Sequence, residues 1–186
     1  MEIIITTILA FAATNIDDLF LLTLFFGNVR YKPSHIVVGQ LLGIVALIAL
    51  SLGGSLIGEL IKPSYVSWLG LFPIYLGVKQ YIKLFRGKDD DAAQPELKSG
   101  NMAIAISLVT IANGGDNIGV YIPLFVALTF FHKIIMIVIF LLMTLLWCFA
   151  ARYLSQHAFL KKALDQYGHI VTPAVLILLG AYIVIA

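Results

Sequence analysis

The sequence predicts an all-α integral membrane protein with six transmembrane helices, arranged as two inverted repeats of three helices each. The first observation is composition: the chain is 61% hydrophobic and 12% charged, whereas soluble domains carry about 25% charged residues. The second is a set of six apolar runs, each long enough to cross a hydrocarbon core of roughly 30 Å as a helix. The third is one polar segment, residues 87–100, which divides the chain into two halves of equal length.

The six apolar runs define the predicted spans. Helices are expected because each span must satisfy its own backbone polar groups inside the lipid. Polar or turn-forming segments separate successive spans, such as Lys62-Pro63 between the second and the third. In chain order the spans are Ile3–Phe26, Ile36–Ile57, Ser64–Phe85, Met102–Phe131, Ile134–Ala151 and His169–Ala186.

The polar segment predicts the domain organisation. Residues 1–86 form a first three-helix repeat, residues 87–100 a cytoplasmic linker, and residues 101–186 a second repeat of the same membrane domain. An odd number of spans in each half inverts the second half relative to the first, which is the plan of many transporters. Ten of the twelve Lys and Arg residues lie in the first, third and fifth loops. The positive-inside rule therefore places these loops in the cytoplasm of the cell and both termini outside.

Acidic residues interrupt the first and fourth spans at corresponding places. Asp17 and Asp116 are 99 residues apart, and Asp18 follows the first of them directly. A charged side chain at the bilayer centre costs about 2.5–3.5 kcal/mol even on the lenient insertion scale, so a function is the default explanation. The two segments read Asn15-Ile16-Asp17-Asp18 and Asn113-Gly114-Gly115-Asp116-Asn117.

These segments predict a metal site between the first and fourth helices. Carboxylate and amide oxygens on two antiparallel helices are suitable ligands for a divalent cation, which would neutralise the buried acids. The glycine pair weakens the fourth helix, and an unwound turn there would release backbone carbonyls as further ligands. The predicted metal ligands are Asn15, Asp17, Asp18, Asn113, Asp116 and Asn117, with Thr14, Gln40, Gly114 and Gly115 as secondary candidates.

Several of these residues have an alternative structural interpretation. Thr, Asn and Gln side chains inside spans often serve as hydrogen bonds between helices, so Thr14 and Gln40 fit that role equally well. Small residues at i,i+4 spacing favour close helix packing over a ligand role. Three glycine pairs have this spacing: Gly39 with Gly43, Gly54 with Gly58, and Gly115 with Gly119.

On these residues the chain resembles the CadD-type cadmium resistance transporters of the LysE superfamily. The two acidic segments are similar to the paired signatures of that family, and the six-span layout with its polar central loop matches along nearly the whole chain. The resemblance implies export of cadmium from the bacterial cytoplasm. Cadmium prefers sulfur whereas the predicted ligands are all oxygen, so zinc and manganese also stay open as substrates.

The predicted mechanism is secondary active transport by a protein that is not an enzyme and holds no cofactor. The chain has no G-x-x-x-x-G-K-[ST] sequence for ATP binding, so an ion gradient is expected to supply the energy, most simply protons exchanged for the cation. The sequence has no basic face with interleaved aromatic residues, so nothing in it indicates a nucleic-acid partner. The expected partners are a divalent cation, protons and the bilayer, and the small size is compatible with a homodimer.

Three other functions remain open from the sequence, one of them a metal sensor or scaffold that does not transport. The same fold would suit export of an amino acid or an organic cation, although the aromatic residues near the acids are few. An intramembrane aspartyl protease would use two Asp residues on different spans that share a proton. That class carries a G-x-G-D motif, whereas this chain reads Asn113-Gly114-Gly115-Asp116.

Overall fold

A computed structural model describes residues 2–29, 31–58, 71–85 and 101–157, together with 173, 174, 177, 178, 180, 181 and 184. Within these ranges the secondary structure is entirely helical, with no strand. The first half contributes α1 (Glu2–Thr14), α2 (Ile16–Gly27), α3 (Pro33–Gly58) and α4 (Leu71–Phe85). The second half contributes α5 (Met102–Asn113), α6 (Gly115–Ala127) and α7 (Phe130–Ser155).

The first and fourth predicted spans are each broken into two helices. The angle is 58° between α1 and α2 and 69° between α5 and α6, with the breaks at Asn15 and Gly114. The second helix of each pair begins with an equivalent backbone hydrogen bond to the residue at the break, from Leu19 N to Asn15 O at 3.0 Å and from Ile118 N to Gly114 O at 3.1 Å. The two breaks are thus locally alike and 99 residues apart.

The break in the first span was not predicted from the sequence, which indicated one continuous helix for Ile3–Phe26. Asn15 has φ −119° and ψ 17°, outside the helical range. Its side-chain amide donates to Phe11 O at 2.8 Å, the carbonyl that also accepts its own backbone N–H at 3.0 Å. Asparagine side chains compete with the backbone for helical hydrogen bonds, so Asn15 favours a break without any glycine.

The order of helices repeats in the two halves. Each half has a bent pair of helices followed by one helix of 26 residues, α3 or α7. The long helices pack crosswise: α3 packs against α5 and α6 of the second half, whereas α7 packs against α1 and α2 of the first. Contacts of α1 with α6 then hold the two breaks near each other.

Four of the six predicted spans can be compared with the structure. Helices α3 and α7 are long and apolar enough to cross a membrane singly, and each bent pair passes the same test as one broken span. The third prediction, Ser64–Phe85, is described only as α4, and the sixth, His169–Ala186, and the linker at residues 87–100 lie mostly or wholly outside the described residues. The six-span layout therefore stays a prediction.

Glycines of α3 allow the second half to approach closely. A Cβ atom on Gly39 would lie 2.6 Å from Ala103 O, and one on Gly43 would lie 2.5 Å from Thr110 Cβ. A Cβ atom on Gly54 would meet Ile122 Cδ1 at 2.6 Å. The packing role predicted for these glycines is confirmed, whereas a Cβ atom on Gly115 has no neighbour within 4 Å.

We expect Gly43→Ala to destabilise the protein by about 1–3 kcal/mol, because a methyl group there forces α3 away from α5. Thermal unfolding in detergent measures the effect. Gly53→Ala is the matched control on the same helix, since a Cβ atom there has no neighbour within 4 Å. Alanine is the better helix former, so the control should equal or exceed the native stability. Equal unfolding temperatures for both variants would contradict the close approach.

Candidate metal site

Two carboxylates stand in the first turn of α2, directly after the first break. Asp18 is 2% exposed, and Asp17 is half-buried. Asp17 Oδ1 accepts the backbone N–H of Asp18 at 3.0 Å. Anions are favoured at a helix N-terminus, where the backbone N–H groups and the helix dipole face them. The break therefore explains how the fold tolerates adjacent acids in an apolar span.

The side-chain amide of Asn113, the last residue of α5, bridges these two carboxylates. Its Nδ2 atom donates to Asp17 Oδ2 at 2.8 Å and to Asp18 Oδ1 at 2.9 Å. The amide group thus brings two partially positive hydrogens to the point where the carboxylates converge. A cation held by both acids would occupy this same position.

The remaining oxygen of Asp18 is bound by α3. Gln40 Nε2 donates to Asp18 Oδ2 at 3.0 Å, and Gln40 Oε1 accepts from the Thr110 hydroxyl at 2.7 Å. Each of the four carboxylate oxygens of Asp17 and Asp18 therefore accepts a hydrogen bond from the protein. This satisfies the usual requirement that buried charges be hydrogen-bonded.

The third acid, Asp116, lies in the first turn of α6, as Asp17 does in α2. Its Oδ1 atom accepts the backbone N–H of the following residue, Asn117, at 3.0 Å, and it is half-buried. Asp17 and Asp18 are near enough to act on it electrostatically. Across the ranges given above, however, no three His, Cys, Asp or Glu side chains lie in a metal-binding group. Asp116 is thus a neighbour of the two acids that Asn113 bridges.

A second polar cluster lies beside the carboxylates and joins the two breaks. Asn15 Nδ2 donates to Tyr121 Oη at 2.9 Å, and Asn15 Oδ1 accepts from Asn117 Nδ2 at 3.4 Å. The Thr14 hydroxyl lies 3.2 Å from Tyr121 Oη. Trp147 of α7 donates from its indole nitrogen to Asn15 O at 2.7 Å. These bonds fix the first break against α6 and α7.

The predicted site residues fall into three groups in the structure. Asp17, Asp18, Asn113 and Gln40 are joined by direct hydrogen bonds, with Asp116 nearby. Asn15, Thr14 and Asn117 belong to the neighbouring cluster, where the Asn15 amide is already bound to protein groups. Of the glycines, Gly114 packs against Leu47, whereas a Cβ atom on Gly115 would meet nothing within 4 Å.

Sequence reasoning missed two participants, Thr110 and Trp147, and left Tyr121 outside the site. Thr110 was detectable, because it precedes Asn113 by three residues and so lies on the same helix face. Trp147 carried no such signal, since it approaches the break from a distant part of the chain. The structural assignment of both residues depends on tertiary packing.

The chemistry of the carboxylate group favours a small multivalent cation. Its acceptors are hard oxygen atoms, which suit divalent ions that accept oxygen ligands. If Asn113 turned its amide by half a rotation, its Oδ1 atom would face the same position as a further ligand.

Comparison with known protein families identifies one family that matches the chain. A model of the cadmium resistance transporter family matches residues 11–186, which include every candidate ligand. No curated protein and no solved structure matches the chain. The match covers nearly the whole chain, and the helices are apolar and long enough for a membrane protein. The chain therefore belongs to the cadmium resistance transporter family.

Proposed function

We propose that this protein exports divalent metal cations, cadmium foremost, across the cell membrane in exchange for protons. Asp17, Asp18 and Asp116 supply carboxylate oxygens to the cation, and Asn113 adds its amide oxygen. Family membership supports metal export by a transporter. The location of three acids at two neighbouring helix breaks supports this choice of ligands.

The observation that carries the proposal is the bridging amide of Asn113. It donates to one oxygen of each adjacent acid, at 2.8 and 2.9 Å, so the two carboxylates already converge on one point. Two negative groups that share a donor in an apolar span are arranged to share a cation. When the cation arrives, the amide leaves this position or rotates to present its oxygen.

Alternating access follows from the repeated order of helices. The two halves, residues 1–86 and 101–186, are inverted repeats that rock against each other about the acids, with residues 87–100 as a cytoplasmic linker. Support comes from the equal offset of the two breaks and the crosswise packing of α3 and α7. Transporters built from inverted repeats bind their cargo at such discontinuous helices near the midplane.

Proton exchange is the simplest coupling for this ligand set. A carboxylate binds either a proton or a cation, so arrival of one favours departure of the other. In the cell membrane, the odd-numbered loops face the cytoplasm and both termini lie outside. The cation then enters from the cytoplasmic side, and protons enter from the opposite side.

Everted membrane vesicles that contain the protein test this function. Vesicles with an acidic lumen should accumulate cadmium, and the lumen should lose protons as they do. A panel with zinc, manganese and a basic amino acid ranks the substrates, and vesicles without the protein give the background. Cadmium uptake at the same rate with and without the pH gradient would contradict proton coupling. Uptake of the amino acid without any metal would favour the organic-cation alternative.

A further inference from the structure

We propose that Gln40 and Thr110 are positioning residues of the cation site. They hold Asp18 Oδ2 so that Asp18 Oδ1 is the oxygen left to face the cation. The inference rests on the proposed function and gives Gln40 a role other than that of a secondary metal ligand, which the sequence had left open beside hydrogen bonding between helices. Thr110 acts one step further away, through Gln40.

Hydrogen bonds hold the Gln40 amide at both ends, and the Asp18 carboxylate sets its orientation. Its Nε2 atom donates to Asp18 Oδ2 at 3.0 Å, and its Oε1 atom accepts from the Thr110 hydroxyl at 2.7 Å. A half rotation of the amide would point Oε1 at a carboxylate oxygen, which has no hydrogen to donate. The amide therefore stays a donor to Asp18, and its oxygen stays turned away from the cation position.

Burial makes this arrangement rigid. Asp18 and Thr110 are each 2% exposed and Gln40 is 3% exposed. Water therefore cannot replace a lost partner, and an unpaired buried polar group is costly. Helix α5 holds Asp18 twice, directly through Asn113 and indirectly through Thr110 and Gln40.

The glycines of α3 place the three side chains within reach of one another. Gly39 precedes Gln40, and Gly43 follows it by one turn of the helix. Thr110 packs directly on the backbone at Gly43, where a Cβ atom would lie 2.7 Å from Thr110 Cγ2. The threonine is thus fixed by packing, and its hydroxyl donates to the nearer acceptor, Gln40 Oε1 at 2.7 Å, with Ile106 O further away at 3.2 Å.

A positioning role affects how well the cation binds more than how fast the helices move. Loss of the Thr110 hydroxyl leaves Gln40 Oε1 without its partner, so the amide is held at one end only and Asp18 Oδ2 is held less firmly. The effect should therefore appear in KM for cadmium and leave the maximal rate nearly unchanged.

The test is a double-mutant cycle between Thr110→Val and Gln40→Met, read as cadmium transport kinetics in liposomes. Thr110→Val keeps the side-chain volume, and we expect it to raise KM about tenfold, as for one hydrogen bond that orients a charged group. In the Gln40→Met background the same change should alter KM less than about twofold, because its target is gone. Thr110→Ser should restore most of the affinity by returning the hydroxyl.

Thr144→Val is the matched control for a buried threonine in a span. Its hydroxyl donates to Phe140 O of its own helix at 2.7 Å. A KM for Thr110→Val equal to that of Thr144→Val would overturn the positioning role, as would effects that simply add in the double variant. Gel filtration in detergent identifies any variant that has failed to fold, and for such a variant Thr110→Ser against Thr110→Ala supplies the same comparison.

Asp18→Asn separates this inference from the function on which it rests. If Asp18→Asn abolishes transport while Thr110→Val behaves as the control, only the positioning role fails. If Asp18→Asn transports cadmium normally, the carboxylate site itself is wrong.

Discussion

Asp17→Asn is expected to reduce cadmium transport at least about 100-fold while the protein stays folded. The change removes one negative charge from the point bridged by Asn113, and partners that only support a metal ligand already account for about 10–100-fold. The fold should survive because Asp17 is half-buried and an asparagine oxygen can still accept a hydrogen bond from the Asp18 backbone N–H or from Asn113. Initial transport rates in liposomes measure the loss.

One control variant and one parallel variant accompany Asp17→Asn. Gly27→Ala lies at the end of the same helix, where a Cβ atom has no neighbour within 4 Å, and should transport at the native rate. Asp116→Asn should lose transport to a similar extent, because its carboxylate lies in the first turn of α6, directly after the break in the fourth span. Native transport rates for both Asp17→Asn and Asp116→Asn would refute the assignment of the ligands.

Asn113→Asp has the second large expected effect, and its sign depends on the metal. Without metal, a carboxylate replaces the donor shared by two others, so both hydrogen bonds are lost and repulsion is added. Hydrogen bonds to charged groups contribute about 1.5–3 kcal/mol each, and we expect the metal-free protein to lose about 3 kcal/mol of stability. With cadmium present, an extra acid ligand is available and the loss should be largely reversed.

Thermal unfolding of Asn113→Asp with and without cadmium measures this exchange. Asn101→Asp is the matched control, since Asn101 is exposed and caps the N-terminus of the same helix by accepting from Ala103 N at 3.2 Å. Aspartate caps as well as asparagine, so the control should keep its stability and show only the native response to cadmium. A metal-free Asn113→Asp protein as stable as the control would show that the bridging amide is unimportant.

The sequence was sufficient to predict the apolar helices and the acidic segments, because charge inside an apolar run is visible without a structure. The glycine spacing likewise predicted the close approach of α3, confirmed at Gly39 and Gly43. The break at Asn15 was not predicted, because it depends on side-chain competition for Phe11 O rather than on glycine or proline. Thr110 and Trp147 were missed since their partners, Gln40 and Asn15, are 70 and 132 residues away.

The role of Asn113 shows a further limit of composition. Its amide has one oxygen and one nitrogen, and the sequence alone suggested the oxygen as a ligand. In the structure the nitrogen faces the acids, because a carboxylate accepts hydrogen bonds and has none to donate. Which atom faces the site thus depends on the partners that the fold brings to it, and no residue pattern contains that information.

The crosswise packing of α3 and α7 has a consequence for biogenesis. The bent pair α1–α2 has its long packing partner at Phe130–Ser155, so it leaves the ribosome more than a hundred residues ahead of that partner. Asp17 and Asp18 of α2 therefore lack their hydrogen-bond partner in the second half, Asn113, until that half is synthesised. Membrane insertion and packing of the two halves are therefore coupled, because polar residues of each half are buried against helices of the other.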